Sequence, residues 1–247
     1  MSEQKETKNM KIKVCGMRNA GNIAELQKLD IDFMGFIFWP KSPRCVQQIP
    51  SRAGLIPDLP SLDGEGIKKS ETHDKRILTV GVFVDDMPQN IVTRVYNYHL
   101  DYVQLHGSES AVMIDNLRRT LIPDIAPNIK IIKALSIKDK SDLEKWHEYD
   151  GHVDMFLFDT KCKCAGGSGE QFDWSILEAY DGNIPFLLAG GIGPDDAEQI
   201  KNFHHPMCLG IDLNSRFETE PGMKDIQKLK LFISQLNTVT RSKLDFD

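Results

Sequence analysis

The stretch ILTVGVFVDDMPQNIVTRVYNYHLDYVQLH (77–106) contains the repeating unit on which the fold prediction rests. It opens and closes with short apolar runs rich in β-branched residues, which are typical of buried strands. Between the two runs, Pro88 begins a segment in which Ile91 and Val95 are four residues apart, the spacing of one helical face. The stretch therefore predicts a strand, a helix and a second strand.

The same alternation continues along the chain in both directions. Eight apolar runs start 22, 44, 24, 28, 25, 30 and 23 residues apart, which suits one strand, one helix and two short loops per unit. Eight such units in about 250 residues are typical of a TIM barrel. The sequence thus predicts an α/β fold, a single-domain (β/α)8 barrel. The runs lie at 11–15, 33–38, 77–83, 101–106, 129–135, 154–159, 184–189 and 207–213.

Two segments near the carboxyl end also have helical patterns. Residues 194–203 begin with Pro194 and two acidic residues, a good helix start. Residues 223–236 place four apolar side chains on one face: Ile226, Leu229, Ile233 and Leu236.

We expect the barrel to span residues 11–238. Residues 1–10 are predicted to form a disordered N-terminal tail, and 239–247 a C-terminal tail. One interval between strands is 44 residues long, and its segment 51–75 is rich in proline, glycine and charge. We interpret this segment as a flexible loop insertion.

Composition excludes several classes of function. The 247 residues carry a net charge of −6, which favours neither nucleic acid nor an anionic membrane as a partner. A small anionic substrate remains compatible, because local positive groups can bind it. Five cysteines at irregular spacing argue against a disulfide framework, and no apolar run approaches a membrane span. We expect a cytoplasmic protein, either a monomer or a homodimer.

The candidate functional residues follow from the predicted barrel. Catalytic groups in this architecture lie at the carboxyl ends of the strands and on the loops that follow. Polar and reactive residue types gather at the predicted ends of six strands. They include Cys15, Arg44, Gln104, His106, Asp159, Gly190, Gly191, Asp212, Asn214 and Ser215.

Nine pieces of the chain, in order, resemble the phosphoribosylanthranilate isomerase family over about residues 11–236. A single Gly-Gly or Cys-Gly pair is unspecific, but nine pieces in register on eight predicted strands are highly specific. The pieces are KVCG (13–16), GFIF (35–38), KSPR (41–44), VGVF (80–83), VQLHG (103–107), the discontinuous piece FDT…GGSG…FDW (158–174), LAGGI (188–192), GID (210–212) and PGMKD (221–225).

The resemblance implies an isomerase of tryptophan biosynthesis. Its reaction is the Amadori rearrangement of N-(5-phosphoribosyl)anthranilate to 1-(2-carboxyphenylamino)-1-deoxyribulose 5-phosphate, and no cofactor or metal is implied. The chemistry needs an acid that protonates the furanose oxygen and a base that removes the proton from C2. It also needs groups that bind a carboxylate and a phosphate at opposite ends of the substrate.

The resemblance also implies the two catalytic residues. Asp159 matches the general acid, and strand alternation puts it on the same face as Met155 and Leu157. Cys15 matches the general base. A free thiol has a pKa near 8.5, so activation needs nearby positive charge, for which Lys13 on the same strand face is a candidate.

For the carboxylate end, Arg44 matches the family's ligand, since a guanidinium binds a carboxylate with two parallel hydrogen bonds. Gln104 and His106 match the strand-4 motif and share one strand face. Their roles stay open between lining the substrate site and serving the structure.

Phosphate is expected on the loops after strands 7 and 8, at Gly190, Gly191 and a short turn near 214–217. Here the chain departs from the family pattern Asp-x-Ser-Ser-Gly-Val-Glu, because DLNSRFE (212–218) has Arg216 in place of glycine. We expect the Arg216 side chain to point to solvent while the main chain binds the phosphate.

Two other classes compete with this interpretation. One is another phosphate-binding barrel enzyme of the tryptophan or histidine pathway, although the histidine-pathway isomerase would have Asp at Cys15. The other is a non-catalytic barrel subunit. Cys162 and Cys164 form a C-x-C pair without two further nearby ligands, so we expect no metal site.

Overall fold

The structure is a computed structural model that describes residues 10–46, 76–160 and 174–238. Eight parallel strands pair in chain order, and β8 also pairs with β1, which closes the barrel. The predicted (β/α)8 barrel is confirmed. Its strands are β1 (Lys11–Val14), β2 (Phe33–Ile37), β3 (Leu78–Phe83), β4 (Tyr102–Leu105), β5 (Lys130–Ile137), β6 (Met155–Thr160), β7 (Phe186–Ala189) and β8 (Cys208–Leu213).

The α-helices lie between or after the strands and cover the outside of the barrel. They are α1 (Ala20–Leu26), α2 (Pro88–Tyr98), α3 (Ala111–Leu121), α4 (Lys140–Leu143), α5 (Ala197–Asn202) and α6 (Ile226–Asn237). Short 3-10 helices occupy Glu144–Tyr149, Trp174–Ala179, Pro194–Asp196 and Ser215–Phe217. A hairpin of β9 (Glu218–Glu220) and β10 (Met223–Lys224) precedes α6.

The predicted helices form with small changes at their starts. Helix α2 begins at Pro88 as expected, and Ile91 and Val95 on its inner face are buried. Helix α6 starts at Ile226 rather than at 223, because Met223 and Lys224 pair with β9. The predicted helix over 194–203 begins as a single 3-10 turn before α5.

Alternation along the strands separates two apolar layers. The outward side chains join the helices in one large cluster, to which Phe156 and Phe158 of β6 belong. The inward side chains of neighbouring positions, including Met155 and Leu157, fill the barrel interior. Asp159 continues the inward face at the end of β6, as the sequence pattern predicts.

Several sequence expectations lie outside the described residues. They concern the tail over 1–9, the insertion over 51–75, the Cys162–Cys164 pair and the segment 239–247. Met10, which we assigned to the disordered tail, is described and packs partly buried against the core. Within the described ranges, none of the helices combines the length and the apolar character that crossing a membrane would require.

Candidate active site

A cavity of about 170 Å³ opens at the carboxyl ends of the strands. Leu157 and Ala189 form apolar parts of its wall, and polar groups surround them. Ten site residues were predicted from the sequence, and the barrel brings seven of them together around this one cavity. Those seven are His106, Asp159, Gly190, Gly191, Asp212, Asn214 and Ser215.

Cys15 directly follows β1 and is buried, with only 3% of its surface exposed. Its backbone N–H donates to the carbonyl of Leu213, which ties it to the end of β8. The thiol lies against Gly35 of β2, where an added Cβ would stand 2.7 Å from Sγ. Gly35 therefore leaves the space that the Cys15 side chain occupies.

A buried ion pair adjoins this thiol. Lys13 Nζ lies 3.0 Å from Asp212 Oδ2, and the lysine side chain is wholly inaccessible. Burial lowers the pKa of Lys13, but the attraction of Asp212 and Cys15 outweighs it, so the pKa is raised. Burial raises the pKa of Asp212 in spite of Lys13.

The thiol of Cys15 has a pKa above its ordinary value. Burial is the largest cause, and the positive charges of Lys13 and Lys224 lower the pKa by less. The activating charge expected from Lys13 is thus in place, but it does not overcome desolvation. In this arrangement the thiol is therefore protonated at neutral pH.

Gln104, His106 and Asp159 form a row of polar contacts at the mouth of the barrel, the open end where the carboxyl ends of the strands meet. Gln104 Nε2 lies 3.3 Å from His106 Nδ1, and His106 Nε2 lies 3.5 Å from Asp159 Oδ2. Gln104 is buried, and its Oε1 atom has no hydrogen-bond partner within the described ranges. The two residues that the sequence pattern grouped together therefore contact each other, but His106 lines the cavity and Gln104 lies behind it.

The loop after β7 has a backbone that favours glycine at two successive positions. Gly190 and Gly191 have φ values of +97° and +66°. A side chain at 190 would collide with the backbone of Thr160, whereas a Cβ at 191 would meet no atom within 4 Å. Gly190 therefore packs against β6, and Gly191 presents open backbone to the cavity.

The loop after β8 continues into the 3-10 turn expected near 214–217. Asn214 Oδ1 accepts a 2.8 Å hydrogen bond from Lys224 Nζ, and Ser215 is exposed at the cavity. Arg216 is exposed, as expected, but it does not extend away from the protein. Its Nε atom lies 3.2 Å from where a Cβ of Gly193 would stand, so the guanidinium lies against the loop after β7.

Arg44 is paired in a way that the sequence pattern did not predict. Its Nε donates to Glu218 Oε1 and Oε2 at 2.8 and 3.0 Å, and its Nη2 donates to Oε2 at 2.6 Å. Lys224 Nζ lies 2.6 Å from Glu218 Oε1, and the N–H of Gly222 also donates to that atom. Burial raises the pKa of Glu218. The hydrogen bonds from Arg44 and Lys224 together lower it by a larger amount, so the net shift of the pKa is downward.

This group of ion pairs adjoins the catalytic candidate. Gly16 has a φ of +82°, and a Cβ there would lie 2.8 Å from both Arg44 Cδ and Asn214 Oδ1. The Arg44 side chain thus passes over the backbone at Gly16, next to Cys15. The charge of Cys15 also raises the pKa of Arg44.

Sequence reasoning missed Glu218 and Lys224. Lys224 belongs to PGMKD, one of the pieces that resemble the family, and Glu218 ends DLNSRFE, the segment compared with the family's loop pattern. Their charges in the segments that follow β8 were the available signal. It also missed a buried pair on the other side of the barrel, in which Lys133 Nζ lies 2.9 Å from Glu109 Oε2. Among residues 10–46, 76–160 and 174–238, no cluster of His, Cys, Asp and Glu could hold a metal ion.

The fold and this site together define a class: a (β/α)8-barrel protein with acid, thiol and cationic groups at the carboxyl ends of its strands. Comparisons with known proteins narrow that class. The family profile of N-(5'-phosphoribosyl)anthranilate isomerase matches residues 65–235. The chain belongs to the N-(5'-phosphoribosyl)anthranilate isomerase family.

Individual relatives support this assignment over nearly the whole chain. The isomerase of Parabacteroides distasonis is 46% identical over 227 residues, 92% of this chain and 93% of the relative. The isomerase structure from Thermotoga maritima has a TM-score of 0.71 at 28% identity, covering 93% of this chain and all of that one. A further isomerase structure, with reduced 1-(o-carboxyphenylamino)-1-deoxyribulose 5-phosphate bound, has a TM-score of 0.68 at 27% identity, with the same coverage.

Proposed function

We propose that the protein catalyses the Amadori rearrangement of N-(5-phosphoribosyl)anthranilate, a step of L-tryptophan biosynthesis. The product is 1-(2-carboxyphenylamino)-1-deoxyribulose 5-phosphate. Family membership and the related structure with a reduced product analogue support the reaction. The roles of individual residues rest on the geometry of this chain.

One observation carries the proposal: the Cys15 thiol and the Asp159 carboxyl group are connected by a series of charged and polar side chains at the carboxyl ends of the strands. Cys15 adjoins Lys13, which bonds to Asp212. Asp212 and His106 line the same cavity, and His106 contacts Asp159. A base and an acid on different strands of one mouth can act on two positions of one small sugar.

Asp159 supplies the acid in this mechanism. In its protonated form it donates to the furanose ring oxygen, the bond from C1 to that oxygen breaks, and the nitrogen lone pair forms the iminium. His106 Nε2 is within reach of the same carboxyl group, so His106 holds Asp159 toward the cavity. Asp159 is left as a carboxylate.

Cys15 supplies the base. Its thiolate removes the proton from C2, the electrons of that bond form the enolamine, and the iminium nitrogen becomes neutral. The enolamine then tautomerises to the ketone. Because burial raises the pKa of Cys15, the thiolate depends on Lys13, Lys224 and Arg44 beside it.

The substrate's two anionic ends fit different parts of the mouth. Arg44 beside Cys15 receives the anthranilate carboxylate. The backbone of Gly191 and the turn at Ser215 receive the phosphate, with Gly190, Asn214 and Asp212 shaping that side. These proton transfers use no cofactor or metal.

The test is the loss of anthranilate fluorescence when purified protein meets N-(5-phosphoribosyl)anthranilate. Cys15→Ala and Asp159→Asn should each lower kcat by about 10²–10⁴-fold, the usual worth of a general acid or base. Asp181→Asn, an exposed carboxylate, is the matched control. Absence of turnover by the unaltered protein would refute the proposed reaction. More than half of the normal kcat in either variant would remove that residue from the mechanism.

We also propose that the protein acts in the cytoplasm as a monomer or homodimer on this small anionic substrate, without nucleic acid or membrane. One related structure, 25% identical, is of monomers generated from the dimeric isomerase of Thermotoga maritima, so both states occur among similar proteins. Light scattering across a range of protein concentrations distinguishes the two states.

A further inference from the structure

We infer that Glu218 and Lys224 are positioning residues that prepare Arg44 to bind the substrate carboxylate: Glu218 orients the guanidinium, and Lys224 provides the surplus positive charge. The inference rests on the proposed function, because it concerns the carboxylate end of the same substrate. It assigns a role to two residues that do not line the cavity.

The orientation follows from which hydrogens of Arg44 are used. A guanidinium has five N–H donors, one on Nε and two on each Nη. Glu218 takes the Nε–H and one hydrogen of Nη2. Nη1 contacts no acceptor within the ranges that the structure describes, which leaves a second two-donor edge, Nη1 with the other hydrogen of Nη2. That edge has the geometry that a carboxylate accepts bidentately.

Glu218 is held firmly enough to orient its partner. Its side chain is only 4% exposed, and its Oε1 accepts from Lys224 and from the Gly222 N–H as well as from Arg44. The hairpin that carries Lys224 is anchored to α1, where Asn22 exchanges two hydrogen bonds with the Lys224 backbone. The Arg44 side chain is 20% exposed, so part of it remains accessible to a ligand.

The charges explain why Lys224 is needed. Arg44 and Glu218 alone would form a neutral pair with little attraction for an anion. Lys224, whose side chain is fully buried, adds a second positive charge, so two cations face one carboxylate. While Cys15 is the neutral thiol, one positive charge is left over for the substrate, and in a partly buried site such a charge acts strongly.

The experiment measures how far binding depends on the carboxylate. The probes are reduced 1-(o-carboxyphenylamino)-1-deoxyribulose 5-phosphate and the same compound without the carboxyl group, and calorimetry gives both Kd values. The ratio of the two Kd values is the carboxylate preference. Glu218→Gln leaves one more uncompensated positive charge, yet it should lower this preference by about tenfold or more, because the loss of the bidentate hold on Arg44 outweighs the added charge. Lys224→Met should lower it similarly while Glu218 still holds Arg44.

A double-mutant cycle separates positioning from general structural support. In an Arg44→Ala background, Glu218→Gln should change the preference less than about twofold, because its effect acts through Arg44. Glu220→Gln, an exposed glutamate in the same hairpin, is the control and should leave the preference unchanged. An unchanged preference in both Glu218→Gln and Lys224→Met, or an undiminished effect without Arg44, would overturn the inference.

Two further outcomes keep the inference testable. If the unaltered protein binds neither probe, the proposed function has failed; if it binds both with a carboxylate preference that the variants retain, only this inference has failed.

Should the variants not fold, ¹⁵N-arginine spectra of the unaltered protein decide. The Arg44 Nε–H signal, assigned with Arg44→Lys, should be protected from exchange before ligand is added. Appearance of that protection only with ligand would contradict a preformed Arg44–Glu218 pair.

Discussion

Lys13 and Asp212 form a 3.0 Å ion pair inside the barrel, and Cys15 lies two residues after the lysine, directly beyond the end of the same strand. The pair joins β1 to β8 across the closing seam of the barrel. The charge of Lys13 is therefore divided between an acid that it neutralises and a thiol that it stabilises as thiolate. Lys13 lowers the pKa of the Cys15 thiol by less than burial raises it.

The first prediction concerns the ionisation of Cys15. Because its pKa is raised, the thiol is protonated at neutral pH, and the thiolate fraction increases as pH rises. In a variant with the other four cysteines changed to serine, iodoacetamide should react with a midpoint above the ordinary value of about 8.5. Adding Lys13→Met should move the midpoint higher still. A midpoint below about 8 would show that the cations outweigh burial.

The second prediction tests the space beside the thiol. Gly35→Ala would place a Cβ 2.7 Å from Cys15 Sγ, closer than atoms can approach, so the thiol must shift. We expect kcat to fall by about tenfold or more, since small displacements of a reacting group are costly. Gly21→Ala, where the new Cβ meets nothing closer than 3.5 Å, is the control and should keep full activity. Equal activity of the two variants would contradict the crowding of the thiol.

The third prediction concerns His106. We expect its 3.5 Å contact with Asp159 to position the proposed acid, and we expect His106 not to transfer a proton itself. His106→Asn should lower kcat by roughly ten- to a hundredfold with little change in KM, because the substrate's binding groups remain. His204→Asn, an exposed histidine, serves as the comparison in the same fluorescence assay. A rise in KM with normal kcat would instead make His106 a substrate-binding residue.

The fourth prediction concerns Arg216, where the chain departs from the family pattern. Its guanidinium lies against Gly193 rather than extending into solvent, so its charge stands near the loop proposed to bind phosphate. Because the side chain is exposed, the contribution is modest: Arg216→Gly should raise KM about two- to fivefold. The effect should shrink in about 0.5 M salt, which screens exposed charges. A KM that does not change at low salt would mean that the main chain binds alone.

The fifth prediction concerns stability. The Lys133–Glu109 pair is almost fully buried, and Lys133 also donates to the carbonyl of Gly107 at 2.6 Å. Lys133→Met should cost about 3–5 kcal/mol of unfolding free energy, because it leaves Glu109 charged and unpaired. Urea denaturation measures the loss, and Lys130→Met at an exposed position of the same strand provides the control. Combining Lys133→Met with Glu109→Gln should cost less than the two changes summed; simple additivity would contradict a coupled pair.

Local patterns in the chain were sufficient for the barrel and for much of its mouth. Alternating apolar runs depend on neighbouring residues alone, and each strand predicted in this way is present within a few residues. The positions of the predicted site residues followed from the topology, since parallel strands direct their carboxyl ends to the same end of the barrel. This is why His106, Asp159, Gly190 and Ser215 meet at one cavity.

The sequence by itself determined the fold, the end of the barrel that carries the site, and the residue types available there. Only the tertiary structure decided how those residues are paired. Glu218 holds Arg44 from 174 residues away, and Lys13 bonds to Asp212 across 199 residues. Such pairings depend on barrel closure and on the loss of water around each charge, and both are properties of the packed molecule that no local pattern in the chain contains.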